Sequence, residues 1–328
     1  MLKRLGSAIY QLRVLETAQE MSEVEEVQRQ VWPGNETDIV PAHLLLTTAH
    51  NGGLLVGAYQ ISLHGDYLAS EPPEDIEILD PKKPSDAPLI GFVFGFPGTY
   101  QTADGPRLKH CSHMLGVLPN HRDHGLGFTL KRAQWQMIRT QGIDLITWTY
   151  DPLQSRNAYL NIARLGAVCN AYICDAYGEM RDVLNVGISS DRFQVDWWVN
   201  TNRVSRRLSR KARRRLDLAH FLASGAEIIN PSKSDDDGFP RPAVETKFST
   251  LEERCQAGMG PPIFLVEIPS NISEIKAFSI ELAQAWRLHT RNLLERTFDL
   301  GFLATDFIHL PGAAPRSFYV LSHGEGTL

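Results

Sequence analysis

A mixed α/β fold built around one sheet, with a second, smaller α/β unit after it, is the class this sequence predicts. Three observations carry that prediction. Apolar runs bounded by glycine or proline, such as GGLLVGAYQISL and PLIGFVFGFPG, have strand length and strand composition. Between such runs lie segments whose apolar residues recur three and four apart, as helices require. The order strand, helix, strand, strand then occurs twice, once over residues 143–199 and again near the C-terminus. At 328 residues and 43% hydrophobic content, the chain has the length of two domains and ample material for their cores.

The elements follow in order. AIYQLRVLE alternates like a strand, and SEVEEVQRQVW places Val24, Val27 and Val31 at helical spacing before Pro33-Gly34 stops it. Two glycine-flanked strands come next, separated by the proline- and acid-rich GDYLASEPPEDIEILDPKKPSDA, which has the composition of an exposed insertion. A strand through HMLGVL, a glycine turn and a helix from about Phe128 to Thr140 follow, the helix striped by Leu130, Ala133, Met137 and Ile138. The strand IDLITWTY leads through Asp151-Pro152 into the helix LQSRNAYLNIARLG, which Gly166 closes. AVCNAYICDAY and DRFQVDWWV complete a first domain over residues 1–200. Residues 201–257 hold an arginine-rich run, Arg203 to Arg215, and a loop-like stretch, and are expected to link. Residues 258–328 form the second unit: strand PIFLVEIP, a long helix striped by Ala285, Leu288, Leu293 or Leu294 and Phe298, and strands FLATDFIHL and SFYVLSH. Leu165-Gly166-Ala167 and Leu300-Gly301-Phe302 close the helices of the two recurrences alike, which suggests a degenerate internal repeat.

Charge and cysteines exclude more than they assign. A net charge of -5 is not that of a nucleic-acid binder, so nucleic acid is not an expected partner, and the arginine run is first a solvated face. Four cysteines without a CxxC pair fit a reduced, cytoplasmic protein without a structural metal. No segment has the apolar length of a membrane span, so no membrane partner is expected. A homodimer is left open.

Chemistry concentrates in HMLGVLPNHRDHGLGFTLK, His113 to Lys131. Glycines directly ahead of a helix let an anion approach unpaired amides at the positive end of the helix dipole. The stretch lacks the lysine and hydroxyl ending of a P-loop, and Leu130 stands where a dinucleotide fingerprint needs its third glycine. Arg122-Asp123-His124-Gly125-Leu126-Gly127 instead matches R/Q-x-x-G-x-G/A between a strand and a helix. Over about residues 8–199 the chain resembles the GNAT superfamily of N-acetyltransferases, which implies a mixed, mostly antiparallel central sheet flanked by helices. The resemblance implies acetyl-CoA, or another acyl-CoA, as co-substrate. It also implies pyrophosphate binding by Arg122, Asp123, His124, Gly125, Leu126 and Gly127, pantetheine contacts from the backbone of Leu115, Gly116 and Val117, and a small-molecule or peptide amine as acceptor.

The family's second motif matches in part. Counting back from Gly166-Ala167 puts Ser155 in the place of an asparagine, Ala158 in register, and Ile162 where a proton-donating tyrosine often stands. Asn157 and Tyr159 are nearby, the first a candidate cofactor contact and the second a candidate acid on a neighbouring helical face. His113 is the candidate base: with strand parity it shares a side with Cys111, Leu115 and Val117 unless a bulge intervenes. Asp151, at the end of the next strand, is a weaker candidate. The expected function is an acyl-CoA-dependent N-acyltransferase, and the missing tyrosine keeps a catalytically weak acyl-CoA-binding regulatory or interaction module as the alternative.

Overall fold

Thr17 shows how directly the sequence sets the first helix. Its hydroxyl accepts from the Glu20 amide, and the Glu20 carboxylate accepts from the Thr17 amide, a reciprocal cap that starts the helix at Ala18. The computed structural model describes residues 2–5, 8–34, 36–61, 87–178, 186–209, 216–259 and 263–323. The acidic insertion and the arginines from Arg210 to Arg215 lie essentially outside the described residues. The chain divides into two compact units, Met1–Thr147 and Trp148–Leu328, so the compact units do not follow the boundary expected near residue 200.

The first unit contains strands β1 (Leu2–Leu5) and β2 (Ala8–Val14), helices α1 (Ala18–Val31) and α2 (Ala42–His50), and strands β3 (Leu54–Ile61), β4 (Leu89–Thr102) and β5 (Gly105–Val117). Helix α3 (Leu126–Thr140) follows, and β6 (Leu145–Tyr150) runs on into the second unit. Strand order is sequential from β1 to β6. All neighbours are antiparallel except β5 and β6, whose parallel ladder consists of His110↔Ile146 and Cys111↔Thr147. Met21, Val24 and Val27 of α1 bury against Leu55, Tyr59, Phe92 and Phe94 on one sheet face. The valine spacing read from sequence is this core stripe. Helix α2, whose buried residue is Leu45, was not legible, because HLLLTTAH groups its leucines in one consecutive run and shows no helical period.

The second unit continues with α4 (Ser155–Ala158), which widens into a π-helical stretch over Tyr159–Arg164, then β7 (Val168–Ile173) and β8 (Arg192–Trp198). Helices α5 (Asn202–Leu208) and α6 (Leu218–Ala223), strands β9 (Glu227–Ile228), β10 (Lys233–Ser234) and β11 (Pro240–Arg241), and helix α7 (Phe248–Gln256) occupy the segment expected to link. Strand β12 (Ile263–Ile268), helices α8 (Ile272–Phe278) and α9 (Ile280–Asp299), and strands β13 (Phe302–Leu310) and β14 (Arg316–His323) complete it.

From β6 the strand order is β6-β8-β7-β13-β14-β12-β9. The recurrence read from sequence has a topological counterpart. Strand-helix-strand-strand gives the order β6-β8-β7 the first time and the reversed order β13-β14-β12 the second, and the two sets meet where Cys169 of β7 pairs antiparallel with Ala304 of β13. Gly166 and Gly301, which close the two preceding helices, are both left-handed, at φ 78° and 85°. Even the outermost ladders agree: β9 pairs with β12 in parallel over two residue pairs, as β5 does with β6.

Parts of the arginine-rich run are internal ties. Arg203 donates to the carbonyls of Gly166 and Thr305, while Arg207 donates to Ala163 O and pairs with Asp306 at 2.6 Å. These arginines hold α5 against the end of the π-helical stretch and β13, which corrects the reading of the whole run as a solvated face. The stripe predicted for α9 holds only in its C-terminal part. Ala285 and Leu288 face solvent, and Leu282, Ala283, Trp286, Arg287, Thr290, Leu293 and Leu294 are buried. A buried arginine broke the apolar pattern from which the stripe was read.

Candidate functional site

The glycine turn forms as the residue types require. Leu118 donates its amide to Ile90 O at 2.9 Å, ending β5, and Pro119–His121 make one 3-10 turn. Arg122 then folds back, its Nε donating to Val117 O at 2.9 Å. Asp123 and Gly125 both adopt left-handed backbone, at φ 67° and 77°, and reverse the chain into α3, which begins at the buried Leu126, two residues before the start at Phe128 read from sequence. Gly125 is the N-cap, with no side-chain cap and no acidic residue in the first turn, so the helix's positive end is left to whatever anion arrives. A Cβ on Gly125 would enter open space, whereas one on Gly127 would meet Leu115 Cδ2 at 3.7 Å, an ordinary contact. Backbone conformation therefore requires glycine at the first position only, which is the tolerance the G-x-G/A spacing expresses.

Strand β5 holds the residues expected to meet a pantetheine arm. Beyond Cys111 its ladder with β6 ends, and Met114, Leu115, Gly116 and Val117 pair with β4 on the other edge. A β-bulge intervenes at His113: Phe94 pairs with Met114 while Gly95 pairs with Ser112. The shared parity expected for Cys111, His113, Leu115 and Val117 is thereby broken. Leu115 points towards Gly127 of α3, while His113 turns to the opposite face and sets its ring beside Phe94 and Phe96, with centroids 6.0 and 5.8 Å away. These rings partly desolvate the imidazole and lower its pKa from the ordinary histidine value, although part of the side chain stays accessible.

Under α3 lies a cluster that sequence reasoning missed. Lys131 Nζ donates to Ser112 Oγ at 2.7 Å and to Gln134 Oε1 at 3.2 Å, Ser112 donates to the same Gln134 oxygen at 2.9 Å, and Gln134 Nε2 meets His110 Nε2 at 3.1 Å. All four are buried. Burial pushes the lysine well below its usual range and the histidine down to about 3. In sequence, Lys131 and Gln134 looked like the polar face of an amphipathic helix, and only their spacing of three hinted at a shared side.

The residues of the partial second motif lie in the second unit. Ser155 is buried and exchanges a hydrogen bond with Ser317 Oγ at 2.9 Å, so it serves packing, and Ile162 is fully buried. Asn157 and Tyr159 are exposed, Tyr159 at the start of the π-helical stretch. Asp151 is corrected as a candidate base: its two oxygens are held by Arg287 at 2.8 Å each, and one also accepts from the Leu153 amide. Among the described residues no group of three or more His, Cys, Asp or Glu side chains is arranged to hold a metal. No described helix is long and apolar enough to cross a membrane.

No family model matches the sequence, and no curated protein is similar to it. Among solved structures the chain is similar to a putative acetyltransferase of the GNAT family from Desulfovibrio desulfuricans, at 16% identity and a TM-score of 0.39. It is also similar to Arabidopsis thaliana NAA60 in complex with acetyl-CoA, at 13% identity and 0.41, and to the ribosomal-protein-S18-alanine N-acetyltransferase from Escherichia coli, at 10% and 0.38. In each case 58% of this chain is covered, with 99%, 99% and 95% of the other.

Proposed function

We propose that the chain is an acyl-CoA-dependent N-acyltransferase, with acetyl-CoA as donor and a small-molecule or peptide amine as acceptor. The observation that carries this reading is the uncapped, left-handed Gly125 at the start of α3, directly beyond a strand whose ladder with β6 has ended. Arg122 to Gly127 would hold the pyrophosphate through backbone amides, and the backbone of Leu115, Gly116 and Val117 would bond the pantetheine arm. An amide of β5 near Val117 would polarise the thioester carbonyl.

Transfer forms a bond from the acceptor nitrogen to the acyl carbon and breaks the carbon–sulfur bond. The amine gives up a proton and the departing thiolate takes one. His113 is the proposed base, since desolvation keeps its imidazole neutral and able to accept near neutral pH. Asn157, as a cofactor contact, and Tyr159, as proton donor, are tested by Asn157→Ala and Tyr159→Phe; an unchanged rate in the latter assigns the thiolate's proton to water.

The deciding experiment is calorimetry with acetyl-CoA, CoA and NAD, followed by thiol release in a screen of amines, amino acids and peptides. Binding of acetyl-CoA and CoA with turnover supports the reading. No acetyl-CoA binding at high micromolar concentration overturns it. Affinity without turnover supports the module reading, which the buried Ile162 at the usual tyrosine position favours.

A further inference from the structure

Strands β4 and β5 run on past their other neighbours as a two-stranded ribbon. β3 pairs with β4 only as far as Gly95, and β6 pairs with β5 only from His110, yet β4 and β5 stay paired out to Thr102↔Gly105. Cross-strand register fixes what each face of the ribbon carries. Phe96 opposes Cys111, Gly98 opposes Lys109, and Tyr100 opposes Arg107, so these side chains share one face. Two contacts confirm the assignment: Cys111 Sγ and the Lys109 side chain both lie where a Cβ on Gly98 would point. The bulge then adds His113 to this same face, beside Phe96.

The result is a track in line with His113: an aromatic ring at Phe96, the Cys111 sulfur lying over Gly98, and a cation at Lys109. Asp104, Arg107 and Lys109 are the charged residues of 88–119, and Asp104 pairs with Arg107 at 3.3 Å. Lys109, partly buried, has no ion-pair partner among the described residues. It stands four positions from His113, roughly 13 Å of strand less the contraction at the bulge. We propose that this face selects the acceptor, and that the acceptor is the N-terminal amine of an extended peptide with an acidic side chain at about its third residue. The amine lies at His113, the first side chain packs on Phe96, and Lys109 receives the carboxylate. The charge complementarity of Lys109 names the partner's chemistry, and the length of strand between His113 and Lys109 sets the spacing of amine and carboxylate.

This proposal rests on the acyltransferase reading for the identity of the amine, but its test does not require turnover. Two tetrapeptide amides with free N-termini, Ser-Ala-Glu-Ala and Ser-Ala-Gln-Ala, are titrated into the full chain in the presence of CoA. The glutamate peptide should bind about three- to fivefold tighter, the range a half-exposed ion pair supplies, and the preference should shrink with added salt. Lys109→Gln should abolish the preference and Lys109→Arg should keep it, with acetyl-CoA affinity the same in all three proteins. Equal binding of the two peptides to the unaltered chain, or a preference that survives Lys109→Gln, overturns the proposal. Failure of the acyltransferase reading appears separately, as absent acetyl-CoA binding.

Discussion

Arg287 lays its two terminal nitrogens on the two oxygens of Asp151, each at 2.8 Å, with both side chains largely buried. A carboxylate whose two oxygens are both held by a buried guanidinium is placed by that pair rather than towards a substrate, so this pair belongs to the architecture. Arg287→Met should leave the Asp151 charge buried and unpaired and cost roughly 3–5 kcal/mol, read from denaturant unfolding. Adding Asp151→Leu should recover part of that loss, because the pair's worth lies in mutual compensation of two desolvated charges. A single substitution that costs under about 1 kcal/mol would show the pair to be solvated.

Gly125→Val should abolish acetyl-CoA binding. The substitution forces a β-branched residue to φ 77° and puts its side chain in the space an anion would use. Gly142 provides the control, since it is also left-handed, at φ 73°, with nothing within 4 Å of a built Cβ. Gly142→Val should lose similar stability and keep acetyl-CoA affinity. Equal loss of affinity in both would attribute the effect to strain alone.

The contrast between α1 and α9 shows how far the sequence could be read. In α1 the buried positions are mostly apolar, so their period was visible from Ser22 onward, while the Thr17–Glu20 cap that starts the helix at Ala18 went unread. In α9 the inward face includes Arg287, Thr290 and Thr297, and the outward face includes Leu288, so hydrophobic periodicity found Leu293 and Leu294 but put Ala285 and Leu288 on the wrong side. The glycine turn was legible because left-handed backbone leaves a mark in residue type. The bulge at His113 was not, since an extra residue in one strand changes facing without changing composition. The Lys131 cluster was hidden for a related reason: a lysine that packs among polar partners is written with the same letter as one in solvent.

His113 should set the pH dependence of turnover. With its pKa lowered from 6.5 by desolvation, kcat/KM should rise with pH through a midpoint below 6.5 and be level above neutrality. His113→Gln should lower kcat by about 10²- to 10⁴-fold and remove that limb while acetyl-CoA affinity is kept. A midpoint that stays in place in the variant would assign the titration to another group.

His110 should make the fold acid-sensitive. Its imidazole is fully buried against Gln134, and burial lowers its pKa from 6.5 to about 3. The unfolded chain therefore binds this proton more readily than the folded one, so the neutral histidine's stabilisation is complete above pH 6.5 and is lost as pH falls towards 3. The slope of unfolding free energy with pH in that window should reach at most about 1.4 kcal/mol per unit from this group. His110→Gln, which keeps an amide for Gln134, should flatten the slope while costing stability at neutral pH. Gly95→Ala probes the same packing from the facing strand, because a Cβ there would fall on His110 Nε2 and 2.6 Å from Cys111 O. Overpacking of this kind costs about 1–3 kcal/mol. A Gly95→Ala protein as stable as the parent would mean that His110 can leave its place at little cost, and the acid slope should then be small as well.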